Sequence, residues 1–328
     1  MKKVMNQVED YVTEGIDGFV GANPQVVSRL KNFPIVVRSH PKKGKVALVS
    51  GGGSGHEPAH MGYVGEGMLD AAVCGDIFTS PTPDLIYEAI KAVDTGKGVL
   101  LIIKNYTGDV MNFEMAMDMA AMDDIQVASV VVNDDVAVED STYTAGRRGV
   151  AGTVFVHKIA GALAEQGADL DTVARVAQHV IDQVRTMGIA TTSCIVPAAG
   201  QPHFDIADDE IELGIGIHGE PGIRREKMAT SREMVNQLLD HILVDMDYTR
   251  HEVAVMINGL SGMPLSELCI VNHDVMKRLE KESISIYRTM IGEYMTSLDM
   301  AGFSITLLQL DNDLKELLDA PTTAVAFH

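Results

Sequence analysis

Short apolar runs alternate along the chain with stretches of helical period. Lys45–Ser50, Val99–Ile103 and Gln126–Val132 are nearly unbroken apolar segments rich in β-branched residues, which predicts strands buried on both faces. Between them Asp84–Val93 and Asn112–Met122 have helical length and composition, and Pro83 suits a helix start because its fixed φ fits the first turn. Val150–Met187 predicts two helices separated near Gly167, with the strand pattern resuming at Thr191–Ile195. Further on, Glu252–Ile257, Ile284–Tyr287 and Phe303–Leu308 read as strands, and Ser231–Val244 and Pro264–Lys281 as helices. A polar helix is expected near the N-terminus. The pattern predicts an α/β protein of two α/β domains, each a sheet covered by helices, spanning 1–185 and 186–328. No short-period repeat or low-complexity linker separates the halves, so an extensive interface between them is expected. Met111, Met115, Met119 and Met122 recur at helical spacing, with Met117 between them, and are expected to pack into the core.

Charge narrows the partners. With 46 acidic against 26 basic residues, the formal charge is −20, which repels a nucleic-acid backbone. Cys74, Cys194 and Cys269 are far apart and odd in number, so neither a disulfide framework nor a thiolate metal site is expected, and a reducing cytoplasm fits. The opening MKKVMNQVEDYV lacks the apolar core of a signal peptide, and no run approaches the ~20 apolar residues of a membrane span.

Candidate chemistry sits in three segments. The first, GGGSGHEPAH at 51–60, puts four glycines in five residues after a strand, where backbone N–H groups can close on a small ligand; a tight turn is the plainer alternative. Its HEPAH string matches the zinc motif HExxH, but Pro58 starts any helix too late to include His56, so both histidines cannot share one face. No metal site is expected. A nucleotide P-loop is absent too, because the glycines are not followed by Lys and Ser or Thr. The second segment, Lys104 to Asp109, places a donor and a candidate base around a strand-end turn, unless Asp109 only caps the next helix. In the third, GIGIHGEPG, glycines flank His218; a neutral imidazole there can be a nucleophile, a base or a structural residue.

Together with GYVGEGMLDAAVCGDIFTSPTPD, KNYTGDVMNFEMA and GRRGVAGT, these strings resemble the dihydroxyacetone-binding K subunits of dihydroxyacetone kinases, in order and over nearly the whole chain. The resemblance implies a cytoplasmic homodimer in which His218 forms a hemiaminal with the ketone carbon of dihydroxyacetone. It implies further contacts from Gly53, His56, Ser80, Lys104 and Asp109. His56 would hydrogen-bond the hydroxyl that becomes phosphorylated and Asp109 would accept its proton. No cofactor is expected on this chain: magnesium and ADP or ATP would sit on a separate L subunit, recharged from phosphoenolpyruvate through a phosphotransferase-system carrier, with free ATP as the alternative donor. Arg147 and Arg148 would meet nucleotide phosphates or an acidic partner, or simply lie in an exposed loop. A non-catalytic dihydroxyacetone sensor that signals to a transcription regulator is the competing reading; the joint presence of His56, Asp109 and His218 favours the enzyme.

Overall fold

The apolar runs become strands of two six-stranded sheets, with those near 126–132 and 284–287 at sheet edges. The structure, a computed structural model, describes residues 2–139 and 144–327. Helix α1 (Tyr11–Ala22) leads to β1 (Val27–Arg29), β2 (Ile35–Arg38), β3 (Ala47–Ser54), β4 (Ala71–Ile77), α2 (Pro83–Val93), β5 (Val99–Lys104), α3 (Thr107–Met122) and β6 (Val127–Val132). Then come α4 (Thr153–Glu165), α5 (Leu170–Gln183), β7 (Val184–Ala190), β8 (Glu210–Leu213), β9 (Arg224–Lys227) and α6 (Ser231–Asp245). The chain continues through β10 (Glu252–Gly259), α7 (Leu265–Lys281), β11 (Ser285–Gly292), β12 (Gly302–Leu310) and α8 (Asn312–Asp319).

The first sheet has the order β1-β2-β4-β3-β5-β6, with β4, β3, β5 and β6 parallel and β1 and β2 as an antiparallel margin. The second runs β11-β10-β12-β7-β8-β9, and only β10 and β11 are parallel in it. Side chains alternate between two buried faces. In β5, Val99, Leu101 and Ile103 pack with α2 and α3, while Leu100 and Ile102 face α4 and α5. In β12, Ile305 and Leu307 face α6 and α7, whereas Leu308 and Leu310 join the α4, α5 and α8 side. The result is five layers, helix-sheet-helix-sheet-helix, whose central helices share one core with both sheets. Each sheet is covered by helices, as the sequence predicts, but the middle cover is common property.

Four local expectations are corrected. The strand predicted at Thr191–Ile195 lies earlier, at Val184–Ala190, directly after α5, because the register with β12 runs from Leu308 against Val184 to Gly302 against Ala190. Long-range pairing there outweighs a helical pattern that extends to Met187. Helix α3 begins at Thr107 rather than Asn112, so Asp109 falls in its first turn and on its buried face with Phe113, Ala116 and Ala120. Met111, Met115 and Met122 are correspondingly exposed, so the methionine row has helical spacing but occupies the outer face. Finally, Gly51, Gly52 and Gly53 belong to β3 itself, paired with Val73, Cys74 and Gly75 of β4, so the ligand-facing turn starts only at Gly55.

No helix among the described residues is long and apolar enough to cross a membrane.

Candidate functional site

The carboxyl ends of β3, β4 and β5 open toward the second sheet, where the 214–223 connection between β8 and β9 carries His218. In a parallel sheet this is the end at which ligands bind. A cleft of about 630 Å³ lies there, lined by Gly53, Ser80, Tyr106, Asp109, Asn112 and His218 among others.

His218 is oriented by its own loop. Its Nδ1 lies 2.9 Å from Glu220 Oε1, and its backbone N–H donates to Glu220 Oε2 at 2.9 Å. An ionised carboxylate only accepts, so Nδ1 carries a proton, and in the neutral ring Nε2 then keeps its lone pair. Burial pushes the Glu220 carboxyl up, but His218 and then Arg148 outweigh it and bring it down to about 2. Arg148 is itself buried, donating from Nε to Asp135 Oδ2 at 2.7 Å and from Nη2 to the Gly214 carbonyl at 2.8 Å. The imidazole stands in a box of three rings, each nearly perpendicular to it: His56 at 4.7 Å, Phe78 at 5.2 Å and Tyr106 at 4.5 Å between centroids.

His56 follows β3 and is fully buried. Its Nδ1 lies 2.8 Å from the Thr296 carbonyl, which can only accept, so the Nδ1 proton is committed and Nε2 is bare; that nitrogen has no hydrogen-bond partner among the described residues. Burial, and then the neighbouring His218 and Lys104, hold His56 well below the usual histidine range, so the ring is neutral at physiological pH. Thr296 lies between β11 and β12 of the second sheet, so this histidine, which follows β3 of the first, is aimed from the other sheet's side.

Lys104, the last residue of β5, is fully buried, with Nζ 3.6 Å from Asp109 Oδ2 and 3.2 Å from His60 Nε2. Ser80 lies beside the α3 start, where Asn112 Nδ2 donates to its Oγ at 3.3 Å. Gly53 has to be glycine, since a Cβ would sit 2.5 Å from the Thr79 nitrogen. All six positions singled out from the sequence, Gly53, His56, Ser80, Lys104, Asp109 and His218, therefore gather at the junction of the two sheets.

The HEPAH histidines part company. Residues 55–60 form turns and not a helix, His56 engages Thr296, and His60 Nδ1 meets His157 Nε2 at 2.9 Å. Among the described residues no group of three or more His, Cys, Asp or Glu is placed to hold a metal ion. The arginines are corrected as well: Arg148 is buried against Asp135, and Arg147 is paired with Asp245, so neither is a free arm for nucleotide phosphates. Sequence reasoning missed Glu220, Phe78 and Tyr106. Glu220 left a signal, a carboxylate two residues from a histidine in a glycine-rich loop; the two rings left none that distinguished them from core.

Residues 17–326 match the family model described as the Dak1 domain. The chain is 52% identical, over the full length of both, to the dihydroxyacetone-binding subunit DhaK of PTS-dependent dihydroxyacetone kinase 1 from Listeria innocua. Among solved structures it superimposes with a TM-score of 0.92 on the dihydroxyacetone kinase of C. freundii in complex with AMP-PNP and Mg2+, at 39% identity, covering 99% of this chain and 60% of that one. It superimposes with a TM-score of 0.91 on the dihydroxyacetone kinase operon co-activator DhaQ, at 37% identity, covering 98% and 99%.

Proposed function

Because the chain belongs to the Dak1 domain family, we propose that it is the dihydroxyacetone-binding subunit of a phosphotransferase-system-dependent dihydroxyacetone kinase and holds the ketose as a hemiaminal on His218. One observation carries the reading: Glu220 takes the Nδ1 side of His218 and leaves Nε2 bare in a walled box beside Lys104, Asp109 and His56. Nε2 forms the bond to the ketone carbon, the C=O π pair moves to oxygen, and that oxygen takes a proton from solvent. The imidazolium so formed, still protonated at Nδ1, is stabilised by the Glu220 carboxylate. A three-carbon ketose has six heavy atoms, so the best-case ceiling of about 1.5 kcal/mol per heavy atom caps non-covalent binding at about 9 kcal/mol, and a polar, well-hydrated ligand falls well short of it. The covalent bond supplies the difference and rejects glycerol, which has no carbonyl.

The phosphoryl group would arrive on a magnesium-bound nucleotide held by a separate L subunit, recharged from phosphoenolpyruvate, and this chain would act as a homodimer that orients and deprotonates the acceptor. Ser80 and Gly53 line the path to the acceptor. Asp109, with Lys104 beside it, is the proposed base. His56 Nε2 is a second acceptor, and since a hydroxyl has one proton, the two would serve different oxygens of the substrate.

The test uses dihydroxyacetone labelled at its ketone carbon. The wild type should show the rehybridised carbon by NMR and His218→Ala should not; persistence of that signal in the variant would assign the nucleophile elsewhere. Asp109→Asn should keep the adduct yet lower turnover with the nucleotide-loaded L subunit by about 10²–10⁴-fold, the usual weight of a positioned base. Near-wild-type turnover would remove Asp109 from that role and leave it to His56. The likeness to an operon co-activator supports a second reading, a sensor without turnover. An adduct-forming wild type that no L subunit can turn over would establish it.

A further inference from the structure

We propose that His60, backed by His157, is a positioning residue for Lys104 and fixes where that buried ammonium meets the substrate. The inference rests on the reading of Lys104 as a substrate contact. Lys104 Nζ lies 3.6 Å from Asp109 Oδ2, an ion-pair separation beyond good hydrogen-bond length, and 3.2 Å from His60 Nε2. Among the described residues, His60 is thus the group that takes a directed hydrogen bond from the ammonium. The β3 backbone closes the remaining side, where a Cβ on Gly52 would strike Nζ.

The direction of the row follows from elementary donor counting. An ammonium has no acceptor, so His60 Nε2 must be unprotonated. His60 then carries its proton on Nδ1 and donates to His157 Nε2, 2.9 Å away. That nitrogen must be bare in turn, which puts the His157 proton on Nδ1, an atom with no partner among the described residues. The opposite tautomers would set two donors against each other 3.2 Å apart at Lys104. One lysine charge therefore sets the tautomers of two buried rings in series.

The row holds charge in place and does not conduct it. Burial, then Lys104 and His157, push His60 well below the usual histidine range. Burial and then Lys104 bring His157 down to about 3, so neither ring retains a proton passed from the lysine. The contribution is geometric: a long, flexible side chain is held by a directed bond, and a hydrogen bond to a charged group is worth about tenfold to a hundredfold in affinity.

In substrate-free protein labelled with heavy nitrogen in histidine, NMR should show His60 and His157 both protonated at Nδ1 and bare at Nε2. A His60 protonated at Nε2 overturns the proposal whether or not any variant folds. His60→Ala should weaken dihydroxyacetone binding, followed by titrating the adduct signal, by about tenfold to a hundredfold. His60→Gln, whose amide oxygen can stand near the former Nε2, should recover most of that loss. Equal weakening in both variants, or wild-type affinity in His60→Ala, means that the ring only fills space and overturns the proposal. Failure of the wild type to form any adduct would overturn the functional reading instead, with the substrate-free tautomers still deciding this one.

Discussion

With Glu220 bonded to both Nδ1 and the backbone N–H of His218, one carboxylate settles the ring's tautomer and its direction together. A folded carboxyl held at about 2, against an ordinary value near 4.3, contributes its full stabilisation above the ordinary value and loses it only as pH falls toward 2. Glu220 is therefore ionised across the neutral range, and adduct formation between pH 5 and 8 should carry no titration of Glu220. Glu220→Gln keeps the size but removes the charge that stabilises the imidazolium, and its amide can offer Nδ1 a donor in place of an acceptor. The comparable loss in a serine-protease triad is about 10⁴ in rate, so adduct formation should slow by about 10²-fold or more, measured as the rate at which the labelled-carbon signal grows. A wild-type rate would show that Nε2 needs no help. Residue type alone left His218 and Asp109 open between a chemical role and a structural histidine or a helix cap, and the family resemblance supplied their roles and that of His56. Residue type could not expose what Arg148 and Thr296 do, since each acts through a hydrogen bond between segments distant in sequence, whereas Glu220 acts within the loop of His218 and was overlooked there. Arg148 shows the limit: a guanidinium read as a free cation is fully buried against Asp135.

At the scale of elements, legibility followed burial only in part, since β4 and β7 are interior and largely buried, yet β4 was not read as a strand and most of β7 was read as helix. The central strands β3, β5, β10 and β12 were visible because both faces are covered, which favours apolar residues along their length, whereas β6, expected to be buried, is an edge strand with Ser129 exposed and was visible only through its valines. The marginal strands β1, β2, β8 and β9 are short, and β9 is largely exposed, so no periodic signal marks them. Helix α3 is the instructive failure. Its exposed face carries Met111, Met115 and Met122 while its buried face carries Asp109, Phe113, Ala116 and Ala120, an inversion no apolar count detects. The same inversion is what puts a carboxylate inside: by starting at Thr107, the helix turns Asp109 toward Lys104. The glycines of β3 have a related logic, since a strand stripped of side chains lets Lys104 and the 78–79 backbone close on the site from both sides.

For the whole molecule, the decisive feature is that neither sheet holds the site alone. The first supplies Lys104, Asp109, Ser80 and the ring of His56; the second supplies His218, Glu220 and the Thr296 carbonyl that aims His56. Central helices packed on both sheets make that junction part of the core, so the site is as rigid as the core is. This arrangement suits a small neutral ketose and not a nucleotide. The cleft has the buried Asp109 in its wall, its nearest lysine is already flanked by Asp109 and His60, Arg147 and Arg148 are paired elsewhere, and the chain carries a net charge of −20. A triphosphate in the cleft would meet repulsion, with no lysine or arginine among the described lining residues to offset it. The chain on its own should therefore bind dihydroxyacetone but show no saturable heat with millimolar magnesium-ATP in calorimetry, and it should not hydrolyse ATP. Saturable binding of ATP to the isolated chain would mean that the phosphoryl donor has a seat here, and the division of labour between two subunits would have to be abandoned.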